Sequence, residues 1–156
     1  MAMMSDIVEA VRNYLDEDGW KYEYDEERRL IRAGVSLKSK LQSARLIVNF
    51  NESGYTVIAV PAIKADDASR MNVLEYISRA NYGLRNGNFE MDLNDGEVRY
   101  KTYTNCKGMD TIPTDVIEDS IVIPPVMFNR YGDGMAALMM GFSDPVTEIK
   151  KAEQQQ

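Results

Sequence analysis

Histidine is absent from this chain of 156 residues, and cysteine occurs once, at Cys106. The first absence excludes Ser-His-Asp and Cys-His catalysis, because imidazole is the usual base that activates those nucleophiles near neutral pH. The second excludes an internal disulfide, and one thiol without imidazole makes no zinc site. No stretch reaches the roughly 18 apolar residues that a membrane-crossing helix needs, and the opening Met-Ala-Met-Met-Ser-Asp lacks the features of a secretory signal. Positive charge is also scarce: 18 Lys and Arg stand against 25 Asp and Glu, a net charge of -7. Nucleic acid and anionic membrane surfaces are therefore poor partners, since binding polyanions rests on concentrated positive charge. Together these absences predict a cytoplasmic protein that is not an enzyme and carries no cofactor and no metal.

What is present suits one domain over residues 1–152, with a frayed tail at 153–156. A chain of this length buries roughly 70% of its unfolded surface. Ile7, Val8, Val11, Tyr14 and Leu15 share one face of a first helix that Ser5 can cap and Asp18-Gly19 ends. Trp20, Tyr22 and Tyr24 then alternate with polar residues, and Ile31, Ala33, Val35 and Leu37 follow as a second strand pattern. After a turn at Lys38-Ser39-Lys40, Ala44, Leu46, Val48 and Phe50 form another, joined through Asn51–Gly54 to a strand from Tyr55 to Ala62. The apolar residues of that strand are almost continuous, which suits cover on both faces. This run makes Tyr55, Val57, Ile58 and Val60 the candidate partner or dimer face, and its continuity suggests a homodimer.

A second helix is expected from a cap at Asp66 or Asp67 to about Arg85, with Leu74, Ile77, Asn81 and Leu84 on its stripe. Asn81 is the polar residue in that stripe. It joins the candidate face, although an amide bonding nearby backbone is the structural alternative. Phe89, Met91 and Leu93, then Val98, Tyr100 and Thr102, read as a half-solvated hairpin. Its turn, Asp92–Glu97, fails as a calcium loop because Gly96 and Tyr103 stand where oxygen ligands belong. Pro124-Pro125 should break a third helix that Thr114 can cap. Gly132-Asp133-Gly134 should then separate a short helix, Met135–Met140, and Asp144-Pro145 should start a terminal one. Met127, Met135, Met139 and Met140 suit core filling or an adaptable surface. Cys106 falls in a loop expected to be exposed beside Lys107. The fold class is α+β, with an antiparallel sheet of about five strands.

This order of elements is similar to the type III secretion chaperone-like fold, and within it the chain resembles the YbjN family of proposed bacterial sensory transduction regulators. The residues carrying the resemblance are Ile47 to Pro61 and Leu74 to Tyr100, the latter with Asn81, Leu84, Gly87, Phe89-Glu90 and Asp95–Tyr100. Phe128-Asn129-Arg130-Tyr131 is a weaker match. The resemblance implies no catalytic residue. Secretion chaperones of this fold are small acidic homodimers that hold an extended client, which implies another protein, in the form of an extended segment, as partner. The expected function is regulatory protein binding through sheet and apolar helix surfaces. The alternatives are a small-ligand sensor with a helix–sheet pocket, hinged at Pro124-Pro125 and the Gly132–Gly134 pair, and a carboxylate enzyme built on residues such as Glu90 and Asp92.

Overall fold

A computed structural model describes residues 2–154. Helix α1 (Met4–Glu17) precedes strands β1 (Tyr22–Asp25), β2 (Leu30–Ser36), β3 (Ser43–Asn51) and β4 (Gly54–Pro61). Helix α2 (Arg70–Asn81), strands β5 (Asn88–Met91) and β6 (Val98–Asn105), and helices α3 (Thr114–Met139) and α4 (Pro145–Gln154) follow. The sheet is antiparallel in the order β1-β2-β3-β4-β6-β5, six strands where about five are expected. The expected α+β class and order of elements are those observed.

The five apolar residues of the α1 face are all buried. The helix starts one residue before Ser5, because the Asp6 carboxylate accepts the Met3 N–H at 2.8 Å and holds the first turn. Gly19, at φ +78°, supplies the left-handed residue after its end. Side-chain alternation splits the sheet into two faces. Ile31, Leu46, Val48, Tyr55, Val57, Tyr100 and Thr102 point to one face and are buried beneath the helices. On that side Tyr55 shares a 2.8 Å hydrogen bond with Ser120 of α3, and the Phe89 ring meets Phe128 and Tyr131 edge-on.

Helix α3 departs most from expectation: it is one continuous helix of 26 residues that passes through both prolines and both glycines. Pro124 has no N–H for the Ser120 carbonyl, the group four residues back that an ordinary residue would satisfy. Thr102 of β6 makes good that loss, its hydroxyl donating to the Ser120 carbonyl at 3.0 Å. The Ser120 hydroxyl is within 2.6 Å of the Ile117 carbonyl and also touches Tyr55. The sheet thus supplies the hydrogen bonding that keeps the proline turn helical.

The glycines serve close packing. A methyl group on Gly132 would lie 2.8 Å from Ser39 Cβ, and one on Gly134 would lie 2.7 Å from Tyr76 Cζ. Asn129 and Asp133, one turn apart, accept the Lys38 and Lys40 N–H groups at 2.7 and 2.8 Å and clamp the β2–β3 loop onto α3. The helix is accordingly unbroken at both predicted places, and Met135 is buried inside it.

Helix α2 is shorter than its predicted span and rotated from its predicted stripe. It ends at Asn81, and Val73, Tyr76, Ile77 and Ala80 are buried, with Leu74 and Leu84 only partly so. Asp66 holds the turn before it by accepting the Ser69 N–H and hydroxyl at 2.9 and 2.7 Å. Asp144 caps α4 in the same way through Thr147. Glu153 and Gln154, expected in a frayed tail, belong to α4, and the rest of that tail, 155–156, lies outside the described residues.

Candidate functional site: the uncovered face of the sheet

The helices pack on one face of the sheet, and the other presents its side chains in cross-strand rows. One row runs Glu23, Arg32, Ile47, Ile58, Lys101 and Asn88 from β1 to β5. The next places Gly34 opposite Arg45 and Arg45 opposite Val60, while Arg99 lies opposite Glu90 at the far side. Ile47 and Ile58 are partly exposed and lie next to one another, with Arg32 beyond one and Lys101 beyond the other. The methylene stems of such long cations cover apolar neighbours while their charged heads stay in water. Val60, opposite Arg45, is only 4% exposed.

This arrangement divides the residues predicted for a partner face. Tyr55 and Val57, each 0% exposed, belong to the helix-covered side and cannot touch a partner. Ile58 and Val60 lie on the uncovered side, as the strand period requires. The continuous apolar run of β4 therefore reflects two kinds of cover, helices on one face and cross-strand side chains on the other. No sequence motif marks Arg32, Arg45, Arg99 and Lys101 as site residues. Their signal is alternation: each is next in sequence to a side chain on the helix face.

Asn81 occupies neither face. Its amide donates to the Phe89 carbonyl at 2.9 Å and accepts the Phe89 N–H at 2.8 Å, so one side chain satisfies both backbone groups of a residue in β5. This is the structural alternative expected for a polar residue in an apolar stripe. Replacing Asn81 by Leu is expected to lower stability by roughly 1 kcal/mol, because water can take over part of the lost bonding at this half-buried site. Urea unfolding checks it, and an unchanged midpoint would show that these bonds contribute nothing.

The carboxylates considered for catalysis are separated and engaged. Glu90 accepts hydrogen bonds from Arg99 and Lys101 on the uncovered face. Partial burial works against its ionisation, but the bonds from Lys101 and Arg99 outweigh it and hold the carboxyl below its usual range. Asp92 accepts the Asn94 N–H at 2.9 Å in the β5–β6 turn, where Asp95 pairs with Lys64 at 2.7 Å. Both Asp92 and Asp95 are thus committed to the turn, with Gly96 at φ +79°. Glu90 has a pH consequence. A carboxyl depressed in the folded state contributes stability that is complete above the unfolded value, near pH 4, and is lost as pH falls through the lower folded value. Acid titrations of the chain and of Glu90→Gln should therefore converge below about pH 4; an equal gap at every pH would contradict the ion triad.

Two further groups differ from expectation. Cys106 is 1% exposed, and burial pushes its thiol up, so the loop around it does not present a reactive thiolate. The space between helices and sheet, where the small-ligand alternative places a pocket, is filled by the rings of Phe89, Tyr100, Phe128 and Tyr131. A polar cavity of about 210 Å³ lies instead beside α3 and α4, lined by Lys40, Arg130, Asp133, Glu148 and Lys151 among others. Glu148 is 6% exposed and lies 3.4 Å from Lys151.

Among the described residues, no helix is long and apolar enough to cross a membrane, and no cluster of three or more Asp, Glu, Cys or His side chains could hold a metal ion. No curated protein matches the chain significantly. A family model described as "YbjN: Putative bacterial sensory transduction regulator" matches residues 8–134, from within α1 to late in α3. That match takes in the whole sheet, the Asn81–Phe89 pairing and the proline turn of α3, and by it the chain belongs to the YbjN family.

Proposed function

We propose that this chain is a non-catalytic regulatory protein of the cytoplasm that acts by binding another protein through the uncovered face of its sheet. The observation that carries the reading is the partly exposed Ile47–Ile58 pair with Arg32 and Lys101 on either side and Arg45 on the next row. Aliphatic contact at the centre with long cations around it is the make-up of a protein-recognition patch, in which the apolar part supplies affinity and the charges select the partner. The family's description as a sensory transduction regulator agrees with such a role. The run in β4 that suggests a homodimer from sequence has cover within the chain, so a separate partner, including an extended client segment, is favoured.

A photo-crosslinking residue at Ile47, with a control at Glu9 on the exposed side of α1, tests the reading in living cells. An adduct with a different protein from Ile47 and none from Glu9 is the expected result. Adducts from Glu9 alone, or joining only two copies of this chain, would overturn it.

The cavity beside α3 and α4 favours a second reading, a sensor of a small ligand bearing charges of both signs. Three cations and two acids converge there, as a zwitterion requires. Screening free amino acids for a melting-temperature increase that Arg130→Gln abolishes tests it, and the absence of any increase would remove it.

A further inference from the structure

Gly34 lies inside β2, between Ala33 and Val35, where glycine weakens a strand and offers no side chain to pack. Nothing in the fold requires it. Its φ is not in the left-handed region, and a Cβ built on it meets nothing within 4 Å. Both common structural reasons for a strand glycine, backbone conformation and crowding, are therefore missing. What remains is close approach by something outside the chain.

The surroundings say what that is. β1 stops pairing at Ala33, so Gly34, Val35 and Ser36 extend past its end along the sheet border. Three shallow depressions meet over Gly34. One reaches Lys21 and Arg32, one the notch beside Trp20, and one Arg45, Val60 and Ala62. Each has a volume of about 400 Å³. Lys21 and Arg45 have no ion-pair partner among the described residues, and Arg32 reaches Asp25 only at 3.9 Å, while Glu23 and Asp18 are the acids that line the furrow. Three cations, two of them without an ion pair, against two lining acids make the surroundings of this bare strand floor locally positive in a protein of net charge -7.

We propose that Gly34 is the floor of a docking furrow for an extended, acidic segment of a partner protein. The partner's carboxylates pair with Lys21, Arg32 and Arg45, and its backbone lies close over Gly34 where any side chain would hold it off. This rests on the reading of the uncovered sheet face as protein-binding, and it names the chemistry of the segment bound. Nucleic acid fits less well, because its regular line of phosphates needs more concentrated positive charge than three cations flanked by acids supply.

The test uses Gly34→Val, which suits a strand and enters open space, and Arg45→Glu, which reverses charge at the furrow wall. The probe is a fluorescein-labelled peptide of alternating aspartate and valine, read by anisotropy at low and physiological salt. The unaltered chain should bind it, both variants should bind at least about tenfold more weakly, and Arg79→Glu on α2 should bind normally. Melting temperatures for Gly34→Val at or above that of the unaltered chain would show that lost binding is not lost folding. Full binding by both variants, no binding by the unaltered chain, equal binding of a lysine–valine peptide, or tighter binding of a single-stranded oligonucleotide would overturn the proposal. So would a dimer that Gly34→Val dissociates. If the unaltered chain gives its Ile47 crosslink in cells while the peptide test fails, only the furrow is wrong; if the unaltered chain gives no Ile47 crosslink either, the sheet-face reading falls with it.

Discussion

Gly134→Ala is expected to destabilise the protein by about 3 kcal/mol, although alanine is the better helix former. In a helix interior the exchange alone would gain about 1 kcal/mol. Here the new methyl group would lie 2.7 Å from Cζ and 2.9 Å from Cε2 of Tyr76. That ring is fully buried, and its hydroxyl donates to the Tyr131 carbonyl at 2.7 Å. Moving it costs the overpacking strain of a full core, about 1 to 3 kcal/mol, and puts at risk a buried hydrogen bond whose loss costs a similar amount. For a domain of this size the melting temperature should fall by roughly 6 to 12 °C. Tyr76→Phe removes the hydroxyl nearest to the new methyl, so in the double variant the two losses should sum to less than their separate costs. Were Gly134 a hinge, the alanine variant would melt higher than the unaltered chain, and calorimetry distinguishes the two outcomes.

The second large effect is expected at Thr102. Thr102→Val keeps the shape and removes the hydroxyl that donates to the Ser120 carbonyl, leaving that carbonyl buried with no donor because Pro124 follows four residues later. An orphaned buried acceptor costs about 2 kcal/mol. Adding Pro124→Ala restores an N–H at the position from which a helix serves that carbonyl. The double variant should therefore recover more than half of the loss, and the coupling between the two sites should be about 1 kcal/mol or more in a double-mutant cycle. Strict additivity would mean that Thr102 does not stand in for the missing helix bond.

These two sites also mark where reading the sequence succeeded and where it did not. Ala44, Leu46, Val48 and Phe50 announced β3 by alternation, and all four are buried, because a half-covered strand writes its two faces directly into the order of residues. The α1 face was legible for the same reason at helical period. Pro124-Pro125 was misleading because its compensation comes from Thr102 in another element, which no local window contains. Gly132 and Gly134 look like turn residues until Ser39 and Tyr76 are seen against them. Asn81 was legible as an anomaly, since a polar residue in an apolar stripe needs partners, but identifying Phe89 as that partner needed the fold. At the candidate site the sequence led to Ile58 and Val60 through the run in β4. It could not separate them from Tyr55 and Val57, nor gather Lys21, Arg32 and Arg45 around Gly34, because only strand register brings those positions together.

The pairing of Asn81 with Phe89 has a consequence for stoichiometry. β5 is the last strand on its side, and an unprotected last strand is a template on which further chains can add without limit. The amide of Asn81 takes up the outward N–H and C=O of Phe89 and so blocks that border at the middle of β5. The opposite border is formed by β1 and, past its end, by the stretch where β2 outruns it. A sheet sealed on one side cannot propagate into a filament. Growth there terminates after one addition, and each chain should take up its partner one to one.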